Sequence, residues 1–146
     1  MLFRSERHLR TNPPTTRQVA AARADIAGAI DKAARAVPLA QVQTLVGLAG
    51  SVTTVAAIAL GLDTYDPTRI HHSMISAADV RRVSDELLRM SHEERAALPV
   101  MHPGRIDVIG AGALILAEIV DRVGVAEVVV SEHDILDGIA WALADR

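Results

Sequence analysis

Apolar residues recur at helical spacing through much of the chain. The clearest case lies between two proline-containing breaks, where apolar positions three or four residues apart predict a helix from Thr16 to Ala36. Thr15 and Gln18 form the pattern of a capping box at its start. The apolar positions of this helix are Val19, Ala22, Ile26, Ile30, Ala33 and Val37.

The same spacing and the capping residues predict the later helices. One runs from about Ser51 to Leu60. A second begins at Ser76, with Asp79 three residues later, and a third runs from Ser91, with Glu94 three residues later, to Pro99. The last two run from Ile106 to Val123, with Gly124 as C-cap, and from Asp134 to Ala144. Residues 108–117 carry no charge, so the Ile106–Val123 helix is expected to be buried on most sides. Gly110 and Gly112 each cost about 1 kcal/mol of helix propensity, which predicts a close neighbour there.

Two short apolar runs, Val42–Leu48 and Val125–Val130, are typical of buried strands, and Met1–Leu9 is a weaker candidate. Asp63–Ser73 is predicted to be a loop. The alternation of strands and helices predicts a single α/β domain over residues 1–146 with parallel strand pairing. A sheet of three strands among five or six helices is thin, and we expect it to leave apolar surface that needs a partner.

The stretch from Ala36 to Leu62 has no charged residue and is long enough to cross a bilayer. Proline, glycine, glutamine and hydroxyl residues interrupt it, so a strand, a turn and a buried helix are the better interpretation. The N-terminus has no long apolar core of the signal-peptide kind. We therefore expect a soluble, cytoplasmic protein without a membrane segment.

Composition narrows the function classes. The net charge of −3 and the three aromatic residues argue against nucleic-acid binding. The chain has no cysteine, which excludes disulfides and thiolate metal sites. Its six histidines form no convincing metal set, since His71 and His72 are adjacent and the others are scattered. We expect them to be solvated loop residues.

Residues 45–54 combine an apolar run, two glycines and a cluster of hydroxyls, and an apolar helical run follows at once. A strand, a tight turn and a helix start in this order present backbone N–H groups and a partial positive charge to an anion, phosphate above all. The pattern lacks the lysine of a P-loop. Close packing at a strand-to-helix corner explains the glycines equally well. The candidate phosphate-binding residues are Gly47, Ala49, Gly50, Ser51 and Thr53.

Arg105 is the strongest single candidate for contact with phosphate. It precedes a buried apolar helix, so its guanidinium and the helix N-terminus can converge on one anion. The alternative is a surface arginine paired with Asp107 or Glu94.

Four segments carry a resemblance to a known family. Residues 105–116 (RIDVIGAGALIL) resemble a helix-start motif of the exopolyphosphatase and guanosine pentaphosphate phosphohydrolase (Ppx/GppA) family. Residues 128–138 (VVVSEHDILDG) resemble its closing strand, turn and last helix, and residues 47–54 its glycine–hydroxyl loop. Ser5–Leu9 is similar to the end of a strand that precedes a helix. In sequence, the glycine–hydroxyl loop at residues 47–54 most resembles that of actinobacterial exopolyphosphatases.

The resemblance implies a ribonuclease-H-like lobe of the actin-like ATPase group. It corresponds to the C-terminal part of the second of two lobes, with the active site in the cleft between them. A phosphate-contacting arginine of the family matches Arg105. The family's Asp-x-Gly-Gly-Gly-Ser loop does not occur in this sequence. Its catalytic glutamate and most ligands for Mg²⁺ belong to parts that the resemblance does not cover, so no catalytic or metal-binding residue is assigned here.

The function implied is release of the terminal phosphate from inorganic polyphosphate, with guanosine pentaphosphate hydrolysis as the sibling activity. The chain alone is expected to be inactive, as a truncated domain that needs a first lobe or pairs with itself. A different class of function stays open, a non-catalytic lobe that binds phosphates or self-associates through an uncovered sheet edge.

Overall fold

The structure is a computed structural model that describes residues 7–144. Seven α-helices and three strands form in this part of the chain. The helices are α1 (Thr16–Ala34), α2 (Gly50–Ala59), α3 (Pro67–Ile70), α4 (Ala77–Arg89), α5 (His92–Ala96), α6 (Ile109–Val123) and α7 (Ile135–Ala144). The strands are β1 (Leu45–Leu48), β2 (Met74–Ser76) and β3 (Glu127–Ser131), and short 3₁₀ turns cover Leu39–Gln41 and Pro103–Arg105.

The three strands form one sheet in the order β1-β3-β2. The pair β1 and β3 is parallel, with Leu45 opposite Val128 and Leu48 opposite Ser131. The pair β2 and β3 is antiparallel, with Met74 opposite Val129. The α/β class and the parallel pairing of the two apolar runs are therefore confirmed, while the third strand pairs in the opposite direction.

The third strand is not the one that the sequence predicted. Of the candidate strand Met1–Leu9, residues 1–6 lie outside the described residues, and residues 7–9 form no strand. The strand that completes the sheet is β2, directly after Asp63–Ser73, which was predicted to be a loop and contains the short helix α3. With three residues β2 is too short for an alternating pattern to stand out. Its last residue, Ser76, is also the N-cap of α4, as the sequence predicts.

The helix boundaries follow the capping residues. Thr15 and Gln18 form the predicted capping box of α1, and Ser91 and Glu94 form that of α5. Gly124 ends α6 in the left-handed conformation, with a φ of 77°. Two boundaries shift by three residues: α6 begins at Ile109 rather than at Ile106, because a 3₁₀ turn occupies Pro103–Arg105, and α5 ends at Ala96 rather than at Pro99.

Helix α6 is the centre of the packing. Its buried residues Ile109 and Val120 join a core with α2, α4 and the sheet, and Leu114 joins a second cluster with Ala22 and Ile26 of α1. Gly112 meets Ser51 of α2, and a Cβ built at Gly112 would lie 2.7 Å from the Ser51 Cβ. This confirms the predicted close contact at Gly112, whereas Gly110 has only ordinary contacts.

The uncharged stretch from Ala36 to Leu62 contains a 3₁₀ turn, strand β1 and helix α2. None of the helices within residues 7–144 is both long enough and apolar enough to cross a bilayer.

Large apolar side chains remain exposed on β1 and α7. Val46 and Leu48 of β1 are 54% and 47% exposed, and Trp141 of α7 is 65% exposed. Helix α7 contains no buried residue. Among the strands of residues 7–144, β1 ends the sheet and pairs with β3 alone, so a further strand would find both backbone groups and apolar surface to contact there.

Replacing Gly47 by alanine is expected to destabilise the fold. The added Cβ would lie 2.7 Å from Cγ1 of the partly buried Val52 and 3.0 Å from Cγ1 of the fully buried Val128. Overpacking of this kind costs about 1–3 kcal/mol. Urea unfolding followed by circular dichroism measures the loss.

Gly28→Ala is the matched control. It adds the same methyl group in the middle of α1, where nothing lies within 4 Å of the new Cβ. It is expected to stabilise the protein by up to about 1 kcal/mol through helix propensity. Equal effects of the two substitutions would contradict the packing at Gly47.

Candidate functional site

The turn between β1 and α2 is made by one residue, Ala49. Its φ of 70° and ψ of 169° lie in a region that is essentially reserved for glycine, at a cost of order 1–3 kcal/mol. Its carbonyl oxygen accepts the N–H groups of Val52 and Thr53, so it begins the helix without a side-chain cap. Backbone strain of this kind is concentrated at ligand-binding turns.

The start of α2 offers backbone donors. Within the described residues, no acceptor is recorded for the N–H groups of Gly50 and Ser51. Such orphan donors carry the positive end of the helix dipole. Thr54 is fully buried and donates its hydroxyl to the Gly50 carbonyl at 2.7 Å, which fixes the first turn from inside.

Arg105 lies against this helix start. It comes from the 3₁₀ turn before α6, and its Nη1 donates to Thr54 Oγ1 at 3.0 Å. A Cβ built at Gly50 would lie 2.6 Å from Arg105 Cζ, so a side chain at residue 50 would displace the guanidinium from this position. The alternative pairing of Arg105 with Asp107 or Glu94 is not found, because Asp107 bonds His92 and Glu94 caps α5.

Tyr65 and Glu132 complete the polar cluster, and the sequence analysis missed both. Tyr65 Oη lies 2.7 Å from Thr53 Oγ1 and 2.7 Å from Glu132 Oε1. The Arg105 Cζ is 5.8 Å from the centre of the Tyr65 ring, within cation–π range. Burial raises the pKa of Tyr65 above its ordinary value, and the hydrogen bond with Glu132 adds to the effect while the one with Thr53 opposes it.

The pairing of β1 with β3 explains why Ala49 and Glu132 lie close together. The parallel register sets Leu48 opposite Ser131, so Ala49 and Glu132 both follow the carboxyl ends of neighbouring strands. Ligands of α/β proteins bind beyond this edge of the sheet.

The six predicted residues separate into two groups. Gly50 and Arg105 are in direct contact, and exposed Ala49 forms the turn beside them. The other three face neighbouring elements: Gly47 packs on Val52 and Val128, Ser51 on Gly112, and the Thr53 hydroxyl bonds Tyr65.

Three histidines, His71, His72 and His133, form a cluster next to Glu132. The backbone N–H of Glu132 donates to His71 Nδ1 at 3.2 Å. The ring of His71 is 3.7 Å from that of His72 and 4.6 Å from that of His133, measured between centroids. Loss of solvation lowers the pKa of His71 from its ordinary value, and the two neighbouring imidazoles add to this. A neutral His71 is also what its role as acceptor requires.

The described residues contain no group of three or more histidine, aspartate or glutamate side chains that is arranged to hold a metal ion. The donor set at the helix start consists of N–H groups and one guanidinium, which attract anions rather than cations. Within residues 7–144, the guanidinium of Arg105 donates to Thr54 and lies over the Tyr65 ring, and it has more N–H donors than these contacts use.

Comparison with known proteins identifies relatives over the whole described region. The model of the Ppx/GppA phosphatase family matches residues 4–146. Exopolyphosphatase 2 of Mycobacterium tuberculosis is 45% identical over 144 residues, which are 96% of this chain and 45% of the relative. The chain therefore spans less than half the length of this relative.

Solved structures of related proteins have the same fold as this chain. An exopolyphosphatase-like protein superimposes with a TM-score of 0.92 at 39% identity, over 94% of this chain and 46% of the other. A Ppx/GppA family member from Aquifex aeolicus gives a TM-score of 0.85 at 23% identity, over 97% of this chain and 46% of the other, and so supports the fold. These proteins have the actin-like ATPase fold, which confirms the predicted fold group.

The stability of the protein is expected to fall below about pH 6.5 in part through His71. Its pKa is lower in the folded than in the unfolded chain, so the unfolded state binds more protons as the pH falls and stability is lost in that direction. His71→Asn keeps an acceptor for the Glu132 N–H but does not titrate. Urea unfolding between pH 5 and 8 should show a smaller loss for the variant, and parallel pH profiles would contradict the assignment.

Proposed function

Because the chain belongs to the Ppx/GppA phosphatase family, we propose that it provides a phosphate-binding part of an exopolyphosphatase active site. In this proposal the substrate is inorganic polyphosphate, and the reaction is hydrolytic release of its terminal phosphate. The chain corresponds to the C-terminal lobe. The other side of the cleft is formed by a part of the enzyme that, in the relatives, lies outside the region this chain matches.

The observation that carries the proposal is the contact between Arg105 and Gly50. It brings a guanidinium, with donors in a planar fork, to the helix start, where the Gly50 and Ser51 N–H groups have no acceptor among residues 7–144. Both kinds of donor suit phosphate oxygens, and positioning with charge neutralisation is the main requirement of phosphoryl transfer. Ala49 forms the exposed turn, while Gly47 and Thr53 hold the strand and helix behind it.

Polyphosphate is preferred over guanosine pentaphosphate because the relative at 45% identity is named an exopolyphosphatase. The site itself supports either substrate, since both present terminal phosphates and the donors above bind phosphate oxygens. Guanosine pentaphosphate is therefore the second substrate to test.

Mg²⁺ is part of the proposal only for the assembled enzyme. The described residues form no carboxylate or imidazole set for a cation, so we assign its ligands and the activation of water to the remainder of the active site. The part of this chain is to bind and orient the phosphate groups.

A second candidate is a non-catalytic lobe that binds a partner lobe or a second copy of itself. It is favoured by the exposed Val46 and Leu48 on the terminal strand β1 and by the exposed apolar residues of α7. Under this alternative the anion site serves binding alone.

Arg105→Ala is expected to weaken the binding of inorganic tripolyphosphate about 10- to 100-fold, the cost of losing charge-assisted hydrogen bonds. Isothermal titration calorimetry at low salt measures the affinity. Arg82→Ala is the control, because Arg82 is an exposed arginine of α4 that pairs with Asp79 and Glu86. If both variants bind as the wild type does, the anion site is wrongly placed.

Phosphate release from long-chain polyphosphate with Mg²⁺ is expected only when this chain is mixed with the part of exopolyphosphatase 2 that it does not match. The mixture with the Arg105→Ala chain should release less. Parallel assays with guanosine pentaphosphate compare the two substrates. Release by this chain alone would show that the catalytic groups are misassigned, and no release from the mixture would favour the non-catalytic alternative.

A further inference from the structure

Arg95 of α5 is a buried arginine whose acceptors are all uncharged. It is 7% exposed, and no carboxylate within the described residues pairs with it. Its Nε donates to the carbonyl of Ile106 at 3.0 Å, and its Nη1 donates to those of Met90 at 2.9 Å and Leu87 at 3.3 Å. Its Nη2 donates to Asn12 Oδ1 at 2.8 Å.

These acceptors belong to three separate segments. Leu87 and Met90 lie at the C-terminal end of α4, Asn12 precedes α1, and Ile106 directly follows Arg105. The guanidinium of Arg95 therefore fixes the backbone next to Arg105 to the end of α4. Since the 3₁₀ turn that carries Arg105 is only three residues long, a displacement of Ile106 moves Arg105 as well.

The chemistry of this position is specific for arginine. The carbonyls at the end of α4 have no partners inside the helix and carry the negative end of its dipole, which stabilises a buried cation. A guanidinium supplies five N–H donors in a rigid plane, enough to reach all four acceptors at once. The ammonium group of lysine has the same charge but is a compact donor that cannot span them.

We propose that Arg95 is a positioning residue, which holds Arg105 at the distance from the start of α2 that phosphate binding requires. This inference rests on the proposed function of Arg105. Arg95 touches no substrate in this scheme, and its effect on anion binding passes entirely through Arg105.

The test is a double-mutant cycle with inorganic tripolyphosphate as the ligand. Arg95→Lys keeps the charge and is expected to weaken binding about tenfold in the wild-type chain, as loss of one well-placed charged contact does. In an Arg105→Ala background the same change should alter affinity by less than about twofold, because the two residues act as a unit. Equal losses in both backgrounds would overturn the proposal. Arg82→Lys on the exposed face of α4 is the matched control.

A second measurement is independent of ligand binding. The Nε–H signal of Arg105 in a ¹H–¹⁵N spectrum, assigned by its loss in Arg105→Lys, reports the guanidinium beside the Tyr65 ring. Arg95→Lys should shift this signal and Arg82→Lys should not. If Arg95→Lys does not fold, Asn12→Ala removes one anchor at an exposed residue and should shift the signal in part. An unmoved signal in the folded variants overturns the positioning role, whereas a shifted signal without tripolyphosphate binding by the wild type rejects only the proposed function.

Discussion

The approach of Arg105 to Gly50 is the constraint on which the candidate site depends. A guanidinium reaches the first turn of α2 because residue 50 has no side chain, and the buried Thr54 hydroxyl sets its orientation. The contact joins two segments that are 55 residues apart in sequence. Without it, the helix start would be an ordinary N-terminus and the arginine an ordinary surface cation.

Much of the fold follows from local chemistry that the sequence displays. Capping pairs such as Thr15 with Gln18 act over three residues, so the starts of α1, α4 and α5 are visible in the sequence. Gly124 marks the end of α6 in the same way. The short strand β2 was missed because its pairing with β3 depends on tertiary contacts and not on its own three residues. The family resemblance, which rests on several separated motifs, is confirmed by the comparisons.

The candidate site was only partly visible. Glycines next to hydroxyl residues indicated the turn, and the position of Arg105 before a buried helix indicated its role. The contact between the turn and Arg105 depends on tertiary structure, which neither local pattern contains. Tyr65 lies in a segment predicted to be a loop, and nothing in its local pattern distinguishes it. Glu132 had a signal that was not used: two parallel strands ending at Leu48 and Ser131 place the next residues of both side by side. Arg95 gave no signal, since an arginine on a short polar helix is usually exposed.

The conformation of Ala49 has a consequence for how an anion would be received. An alanine favours other regions of backbone space, so it keeps this strained conformation only because the strand before it and the helix after it hold it there. The amide groups of the following turn are thus fixed by the fold itself, through the same strand and helix. Binding then needs little ordering of the chain, and this preorganisation leaves more of the electrostatic attraction as net affinity.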